Sequence, residues 1–151
     1  MVIGIFGENC SGKSTLAGAV RDAVGGTVIT GRDYLRMTKS ESEAETLFRA
    51  RLQAAARGEN ILYVISEKAQ LRFLPEGAVR VLVRADLETI KARFRARMHG
   101  NLPAPVERML ERNHGMFDGE PCDFRYDASS DDASQQLQRL INTISEVQKT
   151  C

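Results

Sequence analysis

The chain has 151 residues, 42% hydrophobic and 27% charged, with 12 Gly and 4 Pro, which fits a soluble globular domain and excludes a disordered or fibrous chain. Twenty-one Lys and Arg against 20 Asp and Glu leave a net charge of +1, so no global field directs it to a nucleic acid polymer or a membrane surface. Cys10, Cys122 and Cys151 form no CxxC pair, and reduced thiols are expected rather than a disulfide framework or a zinc site.

In chain order, the apolar run "VIGIF" at residues 2–6 reads as the first strand. The run breaks at Gly7 and has no basic flank, which argues against a secretory signal or a spanning helix and leads us to expect a cytoplasmic protein. A helix is predicted at 13–24, ended by Gly25 and Gly26, then a strand at 28–30 and a helix at 40–56 ended by Gly58. Strands follow at 61–66 and, after Pro75 and Gly77, at 79–83. Helices at 87–98 and 106–114 flank "HGNLPAP", residues 99–105, whose Gly, Asn and two prolines suggest a mobile loop. A weaker fifth strand at 124–128 precedes a helix at 133–148, with Leu137, Leu140, Ile141 and Ile144 on one packing face.

Short apolar runs without two-residue alternation are how strands buried on both faces of a parallel sheet read. Their alternation with helices implies right-handed βαβ units and an α/β class. One domain spanning residues 1–151 is expected.

Between the first strand and the first helix stands "GENCSGKST", residues 7–15. It fits GxxxxGK(S/T), and a buried strand before it and a helix after it are the context that this phosphate-binding P-loop (Walker A) motif requires. Gly7 and Gly12 let the backbone curl so that the amides of the loop, including those of Asn9, Cys10 and Ser11, converge on phosphate oxygens. The helix N-terminus adds partial positive charge. Lys13 would reach the β- and γ-phosphates of ATP, the Ser14 hydroxyl would ligate Mg²⁺, and Thr15 would assist at the α-phosphate. Cys10 reads either as a thiol activated by the converging amides or as a small residue that the loop tolerates.

A nucleotide site does not name a reaction. A guanine-reading NKxD stretch is missing, and the one DxxG match, "DAVG" at Asp22, falls on a helix, which disfavours a switch GTPase. The chain is short for an oligomeric motor, and "ILYVISE" is its one candidate for a strand ending in acid. The remaining features resemble, over nearly the whole chain, the nucleoside monophosphate kinase-like group of P-loop kinases, which includes adenylate, cytidylate, shikimate and gluconate kinases.

That resemblance implies a three-layer fold with a five-stranded parallel sheet of order 2-3-1-4-5 and a short lid at about residues 98–106. "TGRDYLR", residues 30–36, is similar to the acceptor-binding TGD-x-L-R stretch of adenylate kinases with Arg32 inserted. Arg36 would then bind an acceptor phosphate. Asp33 would be the base for an acceptor hydroxyl or the N-cap of the next helix, and one carboxylate can do both. Glu67 would replace the usual Walker B aspartate at Mg²⁺, or merely start a helix; the DGFPR pattern of adenylate kinases is missing after it.

"DLETIKARFRARM", residues 86–98, carries Lys91, Arg93, Arg95 and Arg97 where the group places its lid. Arg93 and Arg97, four apart, share a helix face and would close on the transferred phosphoryl group, with Arg108 and Arg112 beyond the loop; the alternative is a solvated basic face paired with residues such as Glu88. His99 and His114 lack metal-ligand spacing and read as structural or surface residues. The expected activity is transfer of the γ-phosphoryl of ATP, with Mg²⁺, to a small acceptor, most simply a nucleotide or nucleoside. The rival is a nucleotide-binding regulatory ATPase or switch acting on a protein partner.

Overall fold

The computed structural model describes residues 1–30, 33, 40–55 and 58–150; Arg32 and Arg36 lie outside them. Five strands, β1 (Val2–Phe6), β2 (Thr27–Thr30), β3 (Ile61–Ile65), β4 (Val79–Arg84) and β5 (Phe124–Asp127), form one parallel sheet of order β2-β3-β1-β4-β5. The helices are α1 (Lys13–Val24), α2 (Glu41–Ala55), α3 (Leu87–Arg97), α4 (Ala104–Asn113) and α5 (Ala133–Thr150), with a 3-10 helix at Lys68–Phe73. The class, the strand order and the sequence of elements expected above are those observed.

Strand parity explains why the apolar runs are continuous. Ile3 and Ile5 of β1 and Leu62 and Val64 of β3 meet Leu16, Val20, Leu140 and Ile144 of α1 and α5 on one face of the sheet. Val2, Phe6, Ile61, Tyr63 and Ile65 point the other way, onto Phe48 and Leu52 of α2 and Phe73 of the 3-10 helix. Both faces are covered, so neither parity can be polar. Gly4 is the gap in the β1 run: a Cβ there would stand 2.6 Å from Leu74 Cδ1, so this position takes the packing of a neighbour instead of supplying its own.

A third apolar cluster, Cys10, Ala85, Ile90 and Leu110, seats the α3–α4 pair against the loop after β1. Asp86 caps α3 by accepting the Thr89 N–H at 2.7 Å, which holds its carboxyl below the usual range. Buried Lys91 crosses to α4, with Nζ 2.7 Å from Glu111 and 3.2 Å from Glu107. This lysine of the basic cluster therefore joins two helices rather than facing a ligand.

The connection between those helices is shorter and more ordered by hydrogen bonds than "HGNLPAP" suggests. His99 and Gly100 take left-handed torsions (φ 57° and 89°), and the N–H groups of Met98 and Gly100 return to the carbonyls of Phe94 and Arg95, a turn that closes a helix C-terminus. α4 begins at Ala104 with Pro105 in its first turn, where proline costs no hydrogen bond. Among the described residues, no helix is long and apolar enough to cross a membrane.

Candidate functional site

The C-terminal ends of β1, β2 and β3 open on a cleft of about 980 Å³, the position where parallel α/β sheets present ligand-binding loops. Its floor is the loop from Gly7 to Gly12. The Gly7 N–H extends the β1–β3 ladder to Ile65 O at 3.2 Å, and a Cβ on Gly7 would lie 2.4 Å from Val83 O. Glycine is therefore required there by close approach to β4. Cys10 and Gly12 are left-handed (φ 62° and 105°), and the Ser11 N–H donates to Glu8 O at 3.2 Å, so the loop turns back on itself into the N-terminus of α1.

Lys13, on the first turn of α1, is buried and donates from Nζ to Glu8 O at 2.6 Å, across the mouth of the loop. Burial lowers its pKa to about 8 against the opposing pull of Cys10 and Glu8, with the Arg97 charge adding to the decrease. An incoming polyanion would reverse that shift. Asn9, Cys10, Gly12, Lys13, Ser14 and Thr15 all line the cleft, whereas Gly7 and Ser11 lie beneath it. The buried Ser11 hydroxyl has no hydrogen-bond partner among the described residues.

Two arginines of α3 reach the same cleft in different ways. Arg93 donates to Cys10 O at 3.2 Å and Ala128 O at 3.3 Å, stitching the phosphate loop to the segment after β5. Arg97, one turn on, is exposed and has no hydrogen bond or ion pair with a described residue; its charge is felt at Lys13. Arg95, Arg108 and Arg112 are exposed and line neither this cleft nor its neighbour. His114 is drawn in through Nδ1, 3.1 Å from the Glu8 carboxylate, so of the two readings, structural or surface, the contact fits the structural one: it ties the end of α4 to the phosphate loop.

One end of the cleft is bounded by Tyr126, Ala128, Ser134 and Leu137. That segment is fixed by Gln136, which accepts the Asp127 N–H at 2.7 Å and donates to Asp127 O and Asp132, and by the Asp86 N–H donating to Ser129 Oγ. Burial raises the Tyr126 pKa, so its hydroxyl stays protonated. The opposite end is bounded by Thr30, Ser66, Glu67 and Gln70. There the Thr30 N–H donates to Asp33 Oδ2 at 2.6 Å, which sets the Asp33 carboxylate at the end of β2. A second cleft, about 370 Å³, shares Asn9, Ser66 and Glu67 with the first and adds Met109, Leu110 and Met116.

No protein-family model matches the chain, and no curated protein is similar to it in sequence. Solved structures are similar in fold. A shikimate kinase from Acinetobacter baumannii has a TM-score of 0.65 at 17% identity, covering 96% of this chain and 93% of that one. A gluconokinase from Sinorhizobium meliloti 1021 has 0.60 at 17%, covering 95% of each, and a deoxyadenosine kinase from M. mycoides has 0.57 at 16%, covering 97% and 100%. The fold is that of the P-loop kinases.

Within this P-loop kinase fold, Lys13, Ser14, Arg93, Arg97 and Glu67 all meet at one cleft, and Asp33 adjoins it through Thr30. Sequence reading gave no site role to Thr30, Ser66, Gln70 or Ser134, although Thr30 opens "TGRDYLR" and Ser66 ends the predicted third strand. Their signal is positional: each follows or ends a strand on the side where the phosphate loop opens, or lies one turn into the next helix. No group of three or more His, Cys, Asp or Glu side chains fit to hold a metal occurs among the described residues. Ser14 and Glu67 do bring a hydroxyl and a carboxylate to the same cleft, and hard oxygen donors of this kind suit Mg²⁺, which keeps several waters and takes phosphate ligands.

Proposed function

We propose that this chain is a phosphotransferase that moves the γ-phosphoryl group of ATP, with Mg²⁺, to a hydroxyl of a small acceptor such as a nucleoside or another polyhydroxy compound. The observation that carries the reading is one uninterrupted cleft: it runs from the Tyr126–Ser134 end, over Lys13, Ser14 and Arg97, to Thr30, Glu67 and Gln70. Such a cleft accommodates a nucleotide tail at its centre and an acceptor beyond it. Shikimate, gluconate and deoxyadenosine, named in three structural neighbours, all carry hydroxyl groups. A phosphate-bearing acceptor would depend on Arg36, outside the described residues.

The loop amides and the α1 N-terminus hold the triphosphate. Lys13 exchanges its bond to Glu8 O for phosphate oxygens, and this restores its charge as it binds. Ser14 and Glu67 would hold Mg²⁺, which would supply neutralisation of the phosphate charge when bound. Asp33 accepts the proton of the acceptor hydroxyl as its oxygen bonds to γ-phosphorus; the bond from γ-phosphorus to the bridging oxygen breaks and ADP leaves. Arg97 approaches the charge that develops, Arg93 braces the loop beneath, and residues 98–106, the α3–α4 turn with the start of α4, serve as the lid that excludes water.

The experiment is ADP release from ATP with Mg²⁺ in the presence of adenosine, deoxyadenosine, cytidine, shikimate or gluconate. At least one acceptor should stimulate release well above the acceptor-free rate, and EDTA should abolish the stimulation. Equal release with and without every acceptor would contradict the proposal.

A further inference from the structure

Gln70 lies on the 3-10 helix three residues beyond Glu67, only 6% exposed, and lines the acceptor end of the main cleft. Its main-chain N–H donates to Glu67 O at 3.0 Å. Its side-chain carboxamide, with one acceptor oxygen and two N–H donors, bonds no described residue, yet it is not sealed away from the cleft in the manner of the Ser11 hydroxyl. The other buried glutamine behaves differently: Gln136 engages both ends of its carboxamide with Asp127 and Asp132. The polar atoms of Gln70 therefore face the cleft with no protein partner among the described residues, and a ligand that enters can engage both ends of the carboxamide in place of solvent.

We infer that Gln70 is a specificity-determining residue for the phosphoryl acceptor, its carboxamide receiving a group that presents a hydrogen-bond donor and acceptor side by side. Vicinal ring hydroxyls and the edge of a nucleobase both have that chemistry. The contact is neutral, and it complements the charged groups that hold the donor phosphates. This inference rests on the phosphotransfer reading.

Gln70→Met keeps the length of the side chain and removes its polar atoms; Gln70→Ala is the second variant. ADP release is measured with nucleosides (adenosine, deoxyadenosine, cytidine) in one arm and with shikimate, gluconate and ribose in the other, alongside thermal unfolding of the ligand-free proteins. The arm that stimulates the wild type identifies the source of the matching group. With that compound the acceptor KM should rise roughly 10- to 100-fold in both variants, the ATP KM should stay within about twofold, and the Tm of Gln70→Met should equal or exceed that of the wild type. An unchanged acceptor KM in an active variant overturns the inference and leaves the phosphotransfer reading standing. A Gln70→Met protein that unfolds, or whose two KM values rise together with a lower Tm, assigns Gln70 a structural role and also overturns it. If no compound stimulates the wild type, the phosphotransfer reading fails and this inference fails with it.

Discussion

Lys13 carries the most pH-sensitive consequence of the site. Its pKa is near 8 in the folded chain against 10.5 when exposed, so the unfolded state binds more protons between those values and the ligand-free protein gains stability as pH rises through that window. Triphosphate binding acts in the opposite direction. It raises the lysine pKa and takes up a proton, and ATP affinity should fall as pH rises above about 8. Calorimetric titration at about pH 9 in buffers of different ionisation enthalpy should show uptake approaching one proton, shrinking towards pH 7; buffer-independent heats at the higher pH would contradict it. Ser11 tests the loop without touching the ligand. Because its buried hydroxyl is unpaired among the described residues, Ser11→Ala should be neutral or stabilising by up to about 1 kcal/mol, read from denaturant midpoints, and a large loss would show that the hydroxyl is engaged. Gly7→Ala should behave oppositely. Its Cβ would meet Val83 O, a backbone atom that cannot swing aside, and a loss of roughly 1–3 kcal/mol is expected by the same assay. At this scale the sequence spoke through the spacing of glycines, Lys13 and Ser14, a local signal. Gln70 and the Glu8–His114 contact, whose partners stand 106 positions apart, depend on tertiary placement and leave no local pattern.

Among the elements, α3 decides how the two arginines divide their work. Arg93 is committed to Cys10 O and Ala128 O, so Arg93→Ala should raise the ATP Kd and lower Tm as well as turnover. Arg97 has no such engagement, and Arg97→Ala should lower kcat while the ATP Kd changes little; equal effects of the two variants on ATP binding would refute this division. Lys91 holds α4 to α3 through Glu107 and Glu111. Lys91→Met should leave those carboxylates unpaired and speed hydrogen exchange in α4 more than in the central strands, whereas uniform protection would refute that role. The i, i+4 spacing of Arg93 and Arg97 was visible in the sequence because it is a property of one helix. The partners of Arg93 were not, since they come from the phosphate loop and from the segment after β5. Likewise the α3–α4 turn was read from its Gly, Asn and Pro content as loop, and the main-chain hydrogen bonds that close it emerge only with the helices in place.

For the whole molecule, the α/β class was legible because buried strands alternate with helices in right-handed units that cover both faces of a sheet, whereas the strand order came only from the resemblance to P-loop kinases. The two outer strands show how tertiary contacts complete it: β5 is shielded where Gln136 takes up both backbone groups of Asp127, and β2 ends at Thr30 beside the Asp33 carboxylate. The donor half of the cleft was legible in one continuous motif. The acceptor half that we propose lies at the ends of β2 and β3 and the 3-10 helix, where the polar residues are spread singly along the chain. The account therefore turns on whether phosphate leaves ATP for an acceptor or for water. Incubation with γ-phosphate-labelled ATP, Mg²⁺ and the nucleosides and polyhydroxy acids named above should place the label in one phosphorylated acceptor, in an amount equal to the ADP formed, and Asp33→Asn should abolish it. Label recovered only as inorganic phosphate, with a rate that no acceptor changes, would contradict the assignment.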